Sequence, residues 1–209
     1  QSGIFPDRLK TAKVVPIYVA DDPELFKNYR PISILSNFSK IFERVMYNRL
    51  IEFIERFEIL YCYQFGFRKN YSTNFALIHL TNKIATAIDQ NKITAGVFVD
   101  LSKAFDTLNH QILFSKLERY GIRGVALQWI KSYFENREQF VQYDVTSSEQ
   151  IIQCGVPQGS ILGPLFFILY INDLPNALRL AEPLLYADDT SIYYSHSDPL
   201  MLATVLNQE

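Results

Sequence analysis

The sequence predicts an α+β fold in which helices cover one face of a sheet. Apolar residues recur at spacings of three and four between residues 38 and 57, which indicates an amphipathic helix of several turns. Runs of β-branched or wholly apolar residues, such as residues 95–99 and 184–186, indicate strands. Because helices and strands alternate without the regular rhythm of a doubly wound parallel sheet, the α+β class is favoured.

The first half of the chain contains a strand, a loop and two helices. Residues 11–19 predict a strand and residues 23–31 a loop, before the amphipathic helix that begins after Ser36. A second helix begins after Ser72 or Thr73, since both residue types are good N-caps. The expected core residues of the first helix are Phe38, Ile41, Phe42, Val45, Leu50, Phe53, Ile54 and Phe57. Those of the second are Leu77, Leu80, Ile84 and Ile88.

The second half begins with a strand over residues 94–99 that is apolar on both faces, which predicts a central place in a sheet. A helix that ends near Gly121 and a short helix around Trp129 follow. The remaining elements are listed in chain order: a hairpin of residues 140–145 with 150–153, a loop over 155–163, a helix over 164–174, and a hairpin around Asp188.

Composition limits the classes of protein to consider. The 209 residues are 48% hydrophobic and 20% charged, which is ordinary for a globular protein, and the net charge of -2 carries no basic signature. The longest apolar run, residues 161–171, is too short to span a bilayer. Cys62 and Cys154 match no metal or disulfide spacing, which fits a reducing compartment. The chain starts with Gln1 and its last element breaks off, so we expect a fragment of a longer protein.

Three acidic residues carry the most chemical information. Asp188 and Asp189 lie side by side after an apolar run, and Asp100 ends another. Adjacent ionised carboxylates repel each other and resist burial unless a cation binds them. Mg²⁺ prefers oxygen ligands, and paired divalent ions support in-line displacement at phosphorus. The alternative from the residues alone is a polar turn at Asp188–Asp189 and a helix cap at Asp100.

Three further stretches are candidates for binding. Gln158 lies on a Gly- and Pro-rich loop and could hydrogen-bond a base or sugar, although the loop judged alone favours a tight turn before a helix. Arg30 could bind a phosphate or could be an ordinary surface residue. The aromatic and basic residues at 64–69 could follow a nucleic-acid strand, or the aromatic rings could belong to the core. The three histidines are scattered and we interpret them as structural.

Taken in order, six motifs resemble the reverse transcriptase of non-LTR retrotransposons, of the LINE type and similar to jockey. Each motif alone is only suggestive, but six in the family's order over nearly the whole chain are specific. The motifs are Asn28-Tyr29-Arg30-Pro31-Ile32-Ser33; Gln64 to Arg68 with Ser72-Thr73; Val97 to Asp106; Gly155 to Pro164; Tyr170 to Pro175; and Tyr186-Ala187-Asp188-Asp189.

The resemblance implies the fingers and palm of a right-hand polymerase, with an antiparallel palm sheet backed by helices and the thumb missing. Residues 1–92 would be mainly fingers, and residues 93–209 mainly palm with a fingers insertion. Related elements carry lysines after the Pro-Ile-Tyr motif, where this chain has Val19 and Ala20, so a basic contact of the fingers would be absent. Without a thumb, we expect the 209 residues alone to hold primer–template weakly and to show little processive synthesis.

The resemblance also assigns roles to single residues. Asp100 and Asp188 would bind two Mg²⁺ (or Mn²⁺) ions, with help from Asp189 and from the backbone carbonyl of Leu101. Phe105 would be the steric gate that rejects a ribose 2′-hydroxyl. The expected nucleotide contacts are Arg30, Phe105, Gln158 and Gly159, and the expected nucleic-acid contacts are Gln64, Arg68 and Tyr186.

The function implied is RNA-directed DNA synthesis. Its partners would be an RNA template, a DNA primer and a dNTP, with no membrane, and the family's chromosomal insertion implies the nucleus. Two alternatives stay open at this point. One is a catalytically inactive remnant or an RNA-binding domain of the same fold. The other is an RNA-templated RNA polymerase, which Phe105 and the loop of residues 155–164 disfavour.

Overall fold

The computed structural model describes residues 3–101, 103–142 and 146–209. The chain forms two compact units, each built from two stretches of sequence. Unit 1 comprises Gln1–Arg56 and Lys103–Leu169, and unit 2 comprises Phe57–Ser102 and Tyr170–Glu209. The assignment of residues to fingers and palm stays a prediction.

In the described residues, unit 1 combines a four-stranded sheet with four α-helices. The strands are β1 (Thr11–Tyr18), β2 (Tyr29–Ile34), β4 (Glu138–Val141) and β5 (Gln150–Ile151), in the order β2-β1-β4-β5. The helices are α1 (Asn37–Arg56), α3 (His110–Arg119), α4 (Gly124–Phe134) and α5 (Gly163–Tyr170), whose last residue falls in unit 2. Its core is aromatic: the Phe5 ring packs edge-on against Tyr133, with ring centroids 5.1 Å apart.

Within the part of the chain that the structure describes, unit 2 is a three-stranded antiparallel sheet in the order β3-β7-β6, accompanied by two α-helices. Its elements are α2 (Thr73–Asp89), β3 (Ile93–Val99), β6 (Glu182–Tyr186), β7 (Asp189–His196) and α6 (Pro199–Leu206). Phe65, Ala76, Leu184 and Tyr193 form its buried cluster. Ser72 caps α2 by accepting a hydrogen bond from the Phe75 N–H, as the sequence predicts.

The α+β prediction is confirmed, and every predicted helix and strand is present with shifted ends. Residues 29–31, predicted as loop, belong to β2, because they pair with β1. The hairpin predicted from residue 140 begins two residues earlier, at Glu138, and residues 143–145 of it lie outside the described ranges. None of the helices in the described ranges is long and apolar enough to cross a membrane.

Three predictions about burial were wrong. β3 is an edge strand that pairs only with β7 in the described sheet, and its Phe98 is 77% exposed. The expected apolar core face of α1 is largely exposed, with Phe38 at 70%, whereas Leu50 and Ile54 are buried. On α2, Leu77 and Ile88 are exposed and the small residues Ala76 and Ala87 are buried. An apolar pattern shows which residues can be buried, but not whether the chain supplies a cover for them.

A buried carboxylate lies on the core side of α1. Glu43 is fully buried and shares one helical face with Leu50 and Ile54, at spacings of seven and four residues. Its Oε1 accepts the Tyr133 hydroxyl (2.9 Å) and its Oε2 accepts the N–H of Ile161 (2.6 Å). Burial raises the pKa of Tyr133, so its hydroxyl keeps the proton that it donates. Glu43 therefore ties α1 to both α4 and the segment before α5.

We predict that Glu43→Leu lowers the free energy of unfolding by roughly 2–4 kcal/mol, since each buried polar group left unpaired costs about 1–3 kcal/mol. The two groups concerned are the Tyr133 hydroxyl and the Ile161 N–H. Urea denaturation measures the change. Glu52→Leu is the matched control, because Glu52 is exposed on the same helix. Equal losses in the two variants would contradict the assignment.

Candidate active site

The hairpin of β6 and β7 places two carboxylates at one end of the sheet of unit 2. Tyr186 pairs with Asp189, so Ala187 and Asp188 form a two-residue turn. On the other side of β7, the last residue pair with β3 is Val99 with Thr190. Asp100 directly follows the last residue of β3 and therefore lies at the same end of the sheet as the turn. The strands that carry the three acids are neighbours, as the sequence interpretation requires.

The three acids have no cationic partner among the described residues. Asp100 and Asp189 are exposed, Asp188 is half-buried, and no salt bridge within the described ranges includes any of them. Within those ranges, no three His, Cys, Asp or Glu side chains are arranged to hold a metal ion. The oxygen donors and their location at one sheet end suit a divalent cation, and the metal site stays a prediction.

A segment from earlier in unit 2 lies against the edge of this hairpin. The Phe65 N–H donates to the Leu185 carbonyl (2.8 Å), and the Leu185 N–H donates to the Tyr63 carbonyl (3.0 Å). Gln64 and Leu185 thereby form a parallel bridge. At Gly66 the two backbones come so close that an added Cβ would lie 2.1 Å from the Ala187 nitrogen. We call residues 63–66 the brace.

The side chain of Gln64 reaches the turn itself. It is only 1% exposed, and its Oε1 accepts both the Gly66 N–H (2.8 Å) and the Ala187 N–H (3.1 Å). Because both neighbours are donors, the oxygen must face them, and the Nε2 group points away without a partner in the described structure. Leaving such an amide unpaired costs about 1–3 kcal/mol. A buried Gln64 suits the support of the turn better than the nucleic-acid contact that the sequence suggested, which stays untested.

The other two predicted nucleic-acid residues lie in the same unit. Arg68 is half-buried, donates to the carbonyls of Tyr61 (3.2 Å) and Gln64 (3.1 Å), and lies over the Tyr71 ring at 4.0 Å. Tyr186 is half-buried and packs against the core cluster of unit 2. Both contacts stabilise the surroundings of the turn, and binding of nucleic acid by either residue stays a prediction.

Unit 1 brings together the predicted nucleotide-binding residues of the loop and of the segment after Asp100. The Val156 N–H donates to the Phe105 carbonyl (2.8 Å), and the Gly155 N–H donates to the Leu108 carbonyl (2.7 Å). Gly155 has a φ of +82° and lies so close to Asp106 that a Cβ would meet its carbonyl oxygen at 2.6 Å. His110 adds a bond from Nε2 to the Gly155 carbonyl (2.7 Å). These contacts fix the loop against residues 105–110.

Gln158 is oriented by two contacts. Its Nε2 donates to the Asp106 carboxylate (2.9 Å), and its own carbonyl accepts the Ser33 N–H of β2 (2.7 Å). Gly159, with φ of +113°, has its Cα so near that a Cβ would lie 2.7 Å from the Ser33 carbonyl oxygen. A cavity of about 220 Å³ adjoins this cluster and is lined by Pro31, Ser33, Asp106 and Gln158, among others.

Arg30 and Phe105 complete the predicted set. Arg30 is exposed on β2, opposite Ile17 of β1 and three residues before Ser33. Phe105 is half-buried and packs on Phe167 of α5, with ring centroids 4.7 Å apart. Asp100, Leu101, Asp188 and Asp189 belong to unit 2, whereas Arg30, Phe105, Gln158 and Gly159 belong to unit 1.

Sequence reasoning missed three residues that organise these clusters. Asp106 orients Gln158, Glu43 holds the N–H of Ile161, and Gly66 admits the Ala187 turn. A signal existed for Glu43, which shares the helical face of Leu50 and Ile54. Asp106 and Gly66 lie inside recognised motifs, but their partners are more than 50 residues away, so no local pattern indicates the contact.

Comparison with known proteins gives a consistent result. The family model described as reverse transcriptase (RNA-dependent DNA polymerase) matches residues 20–208. The chain is 37% identical over 206 residues to the probable RNA-directed DNA polymerase from transposon BS of Drosophila melanogaster, a match that covers 91% of this chain and 22% of that protein. It is 32% identical over 216 residues to the RNA-directed DNA polymerase from mobile element jockey of the same species, covering 99% and 23%. The predicted resemblance is confirmed.

The fold also matches a solved structure. Apo telomerase from Candida tropicalis, truncated from its C-terminal domain, superposes with a TM-score of 0.59 at 15% identity and covers 98% of this chain and 47% of that one. At this identity the likeness supports the polymerase fold alone. The chain spans about a fifth of the length of the curated relatives named above.

His110 gives the loop of unit 1 a pH-dependent stability. Burial lowers the pKa of His110 below its usual 6.5, while the hydrogen bond to Gly155 opposes the shift. At a pH below the ordinary histidine pKa of 6.5, the unfolded chain binds the proton more readily than the folded chain. The contribution of His110 to the free energy of unfolding is therefore fully present above that pKa and is lost as the pH falls below it. We predict that melting temperature falls less between about pH 7.5 and 5.5 in His110→Gln, which keeps a donor and does not titrate. Equal pH slopes for the variant and the wild type would contradict this.

Proposed function

Because the chain belongs to the reverse transcriptase family, we propose that it supplies the fingers and palm for DNA synthesis directed by an RNA template in a non-LTR retrotransposon. The observation that carries the proposal is the location of Asp100 beside the Asp188 turn, at one end of an antiparallel sheet. Since the chain spans about a fifth of its relatives' length, the activity is proposed for the whole protein.

The acids of unit 2 would hold the metal ions. Asp100 and Asp188, with Asp189 and the Leu101 carbonyl assisting, offer the hard oxygen donors that Mg²⁺ or Mn²⁺ prefers. When bound, two such ions would activate the attacking hydroxyl and neutralise charge on the phosphates. The absence of a salt bridge to these acids among the described residues supports this use, because no lysine or arginine there competes for them.

The residues of unit 1 would bind the nucleotide. Arg30 is exposed and would donate to the triphosphate through its guanidinium. Gln158, held by Asp106 and Ser33, would contact the base or sugar, next to the accessible backbone of Gly159. Phe105, whose ring packs on Phe167, would clash with a ribose 2′-hydroxyl and so select deoxynucleotides.

The proposed reaction is transfer of a nucleotidyl group. The 3′-oxygen of the primer forms a bond to the α-phosphorus of the dNTP, the hydroxyl proton leaves to solvent or base, and the bond to pyrophosphate breaks. The protein contributes position and charge neutralisation rather than covalent chemistry. The RNA template would select the incoming base by pairing, and the site of action would be the nucleus.

The test is primer extension on an RNA template by the full-length protein that carries this chain. We predict that Asp100→Asn and Asp188→Asn each lower the rate about 10³-fold or more, because several kcal/mol of charge stabilisation are lost. Incorporation should be restricted to dNTPs. Asp198→Asn is the matched control, since Asp198 caps α6 in the same unit and asparagine is an equally good cap.

Three outcomes would contradict the proposal. Full activity of the Asp188→Asn protein would remove the metal role of the hairpin. Incorporation of rNTPs alone would indicate an RNA polymerase. Tight RNA binding by the wild-type protein without incorporation would indicate an RNA-binding domain that has lost its activity.

A further inference from the structure

We propose that Gln64 and Gly66 are positioning residues that set the shape of the Ala187–Asp188 turn and thereby its affinity for the divalent cation. The inference rests on the proposed function, since it concerns the same carboxylates. Neither residue would touch the ion or the nucleotide. Both would act through the backbone of Ala187.

The turn needs external support because of its residues. Ala187 has a φ of +58°, in the left-handed region that disfavours side chains with a Cβ. Two-residue hairpin turns with such angles usually contain Gly, Asn or Asp at this position. Two carboxylates follow directly, and their repulsion favours a more open chain. The residues of this turn therefore do not favour its conformation by themselves, and contacts from outside the turn must stabilise it.

Gln64 supplies the support through one oxygen. Its Oε1 accepts the N–H of Ala187 (3.1 Å) and, at the same time, the N–H of Gly66 within the brace (2.8 Å). The side chain is buried, so water does not compete for this acceptor. The left-handed residue of the turn is thus bonded to an amide that comes from 123 positions earlier in the chain.

Gly66 supplies the space. An added Cβ would lie 2.1 Å from the Ala187 nitrogen and 2.7 Å from its Cα, distances that no packing can accommodate without displacing backbone. The bonds of Phe65 and Leu185 hold the two chains at this separation. Any side chain at position 66 would therefore move the turn that carries Asp188.

A purely structural role for Gln64 makes a different prediction. A buried amide that only stabilises the fold would, when replaced, lower the melting temperature and leave the folded protein's affinity for metal unchanged. A positioning residue changes the affinity of the folded protein as well. Partners of metal ligands typically alter metal affinity about 10- to 100-fold when they are removed.

The experiment compares variants of the full-length protein by Mn²⁺ binding, measured by electron paramagnetic resonance without nucleotide, and by hydrogen exchange of the peptide covering residues 184–190. Gln64→Met keeps the length of the side chain and loses the acceptor. We expect it to weaken Mn²⁺ binding about 10-fold and to speed exchange at the turn. Gln64→Glu keeps an oxygen acceptor and should restore most of the protection from exchange. Gly66→Ala should weaken Mn²⁺ binding at least as much as Gln64→Met.

Asn172→Ala is the matched control. The Asn172 amide accepts the Tyr61 N–H (2.7 Å) and donates to the Ile59 carbonyl (2.8 Å), so its two hydrogen bonds among the described residues anchor the chain just before the brace rather than the turn. We expect it to lower the melting temperature and to leave Mn²⁺ binding unchanged.

Two results would separate failure of this inference from failure of the proposed function. Suppose that Asp188→Asn abolishes Mn²⁺ binding and DNA synthesis, while Gln64→Met matches Asn172→Ala in Mn²⁺ binding and in hydrogen exchange at the turn. The positioning role is then wrong and the proposed function stands. If Asp188→Asn leaves Mn²⁺ binding and DNA synthesis unchanged, the proposed function is wrong, and the positioning inference is wrong with it.

Discussion

The hairpin that carries Asp188 and Asp189 is held from outside by a second piece of backbone, and the rest of the site in unit 2 depends on that contact. The brace pairs with Leu185, Gln64 accepts the N–H of Ala187, and Gly66 leaves no room for even one methyl group. All three contacts act on the backbone of the hairpin, whereas the carboxylates that it carries repel each other. The contacts thus stabilise the backbone that carries the two carboxylates, and not the carboxylates themselves.

In unit 1, close backbone contacts at glycines and hydrogen bonds likewise fix the segment that carries a candidate binding residue. Gly155 packs on the backbone of Asp106 and Gly159 on that of Ser33, so two glycines fix the loop on either side of Gln158. A hydrogen bond to Asp106 then orients the amide of Gln158, and the buried carboxylate of Glu43 accepts the N–H of Ile161 later in the same loop. The residues expected to hold the metal ions or the nucleotide are exposed or half-buried. Of the residues that contact their backbone or side chains, Gln64 is buried, Asp106 is half-buried, and Gly66 lacks a side chain.

How much the sequence could predict differs between the site and the core. The hairpin and the end of β3 at Asp100 followed from apolar runs that stop on acids, because period and turn chemistry are local properties. That the two lie at one end of a sheet followed only from the resemblance to the family, which assigns Asp100 and Asp188 to one metal site. The edge position of β3 could not be predicted, because an apolar strand has the same sequence pattern at the edge of a sheet as at its centre. Phe98 of this edge strand is exposed. Glu43 was missed because the hydroxyl and the N–H that justify its burial come from 90 and 118 residues away. The support of Ala187 by Gln64 is hidden for the same reason.

The central claim is that Asp100 and Asp188, brought to one end of a sheet by strand register, form a divalent-cation site. Anomalous diffraction from crystals of the full-length protein soaked in Mn²⁺ tests it most directly. We expect an anomalous peak coordinated by the carboxylates of both Asp100 and Asp188. A well-ordered turn with no peak at these carboxylates, at Mn²⁺ concentrations that support DNA synthesis, would contradict it.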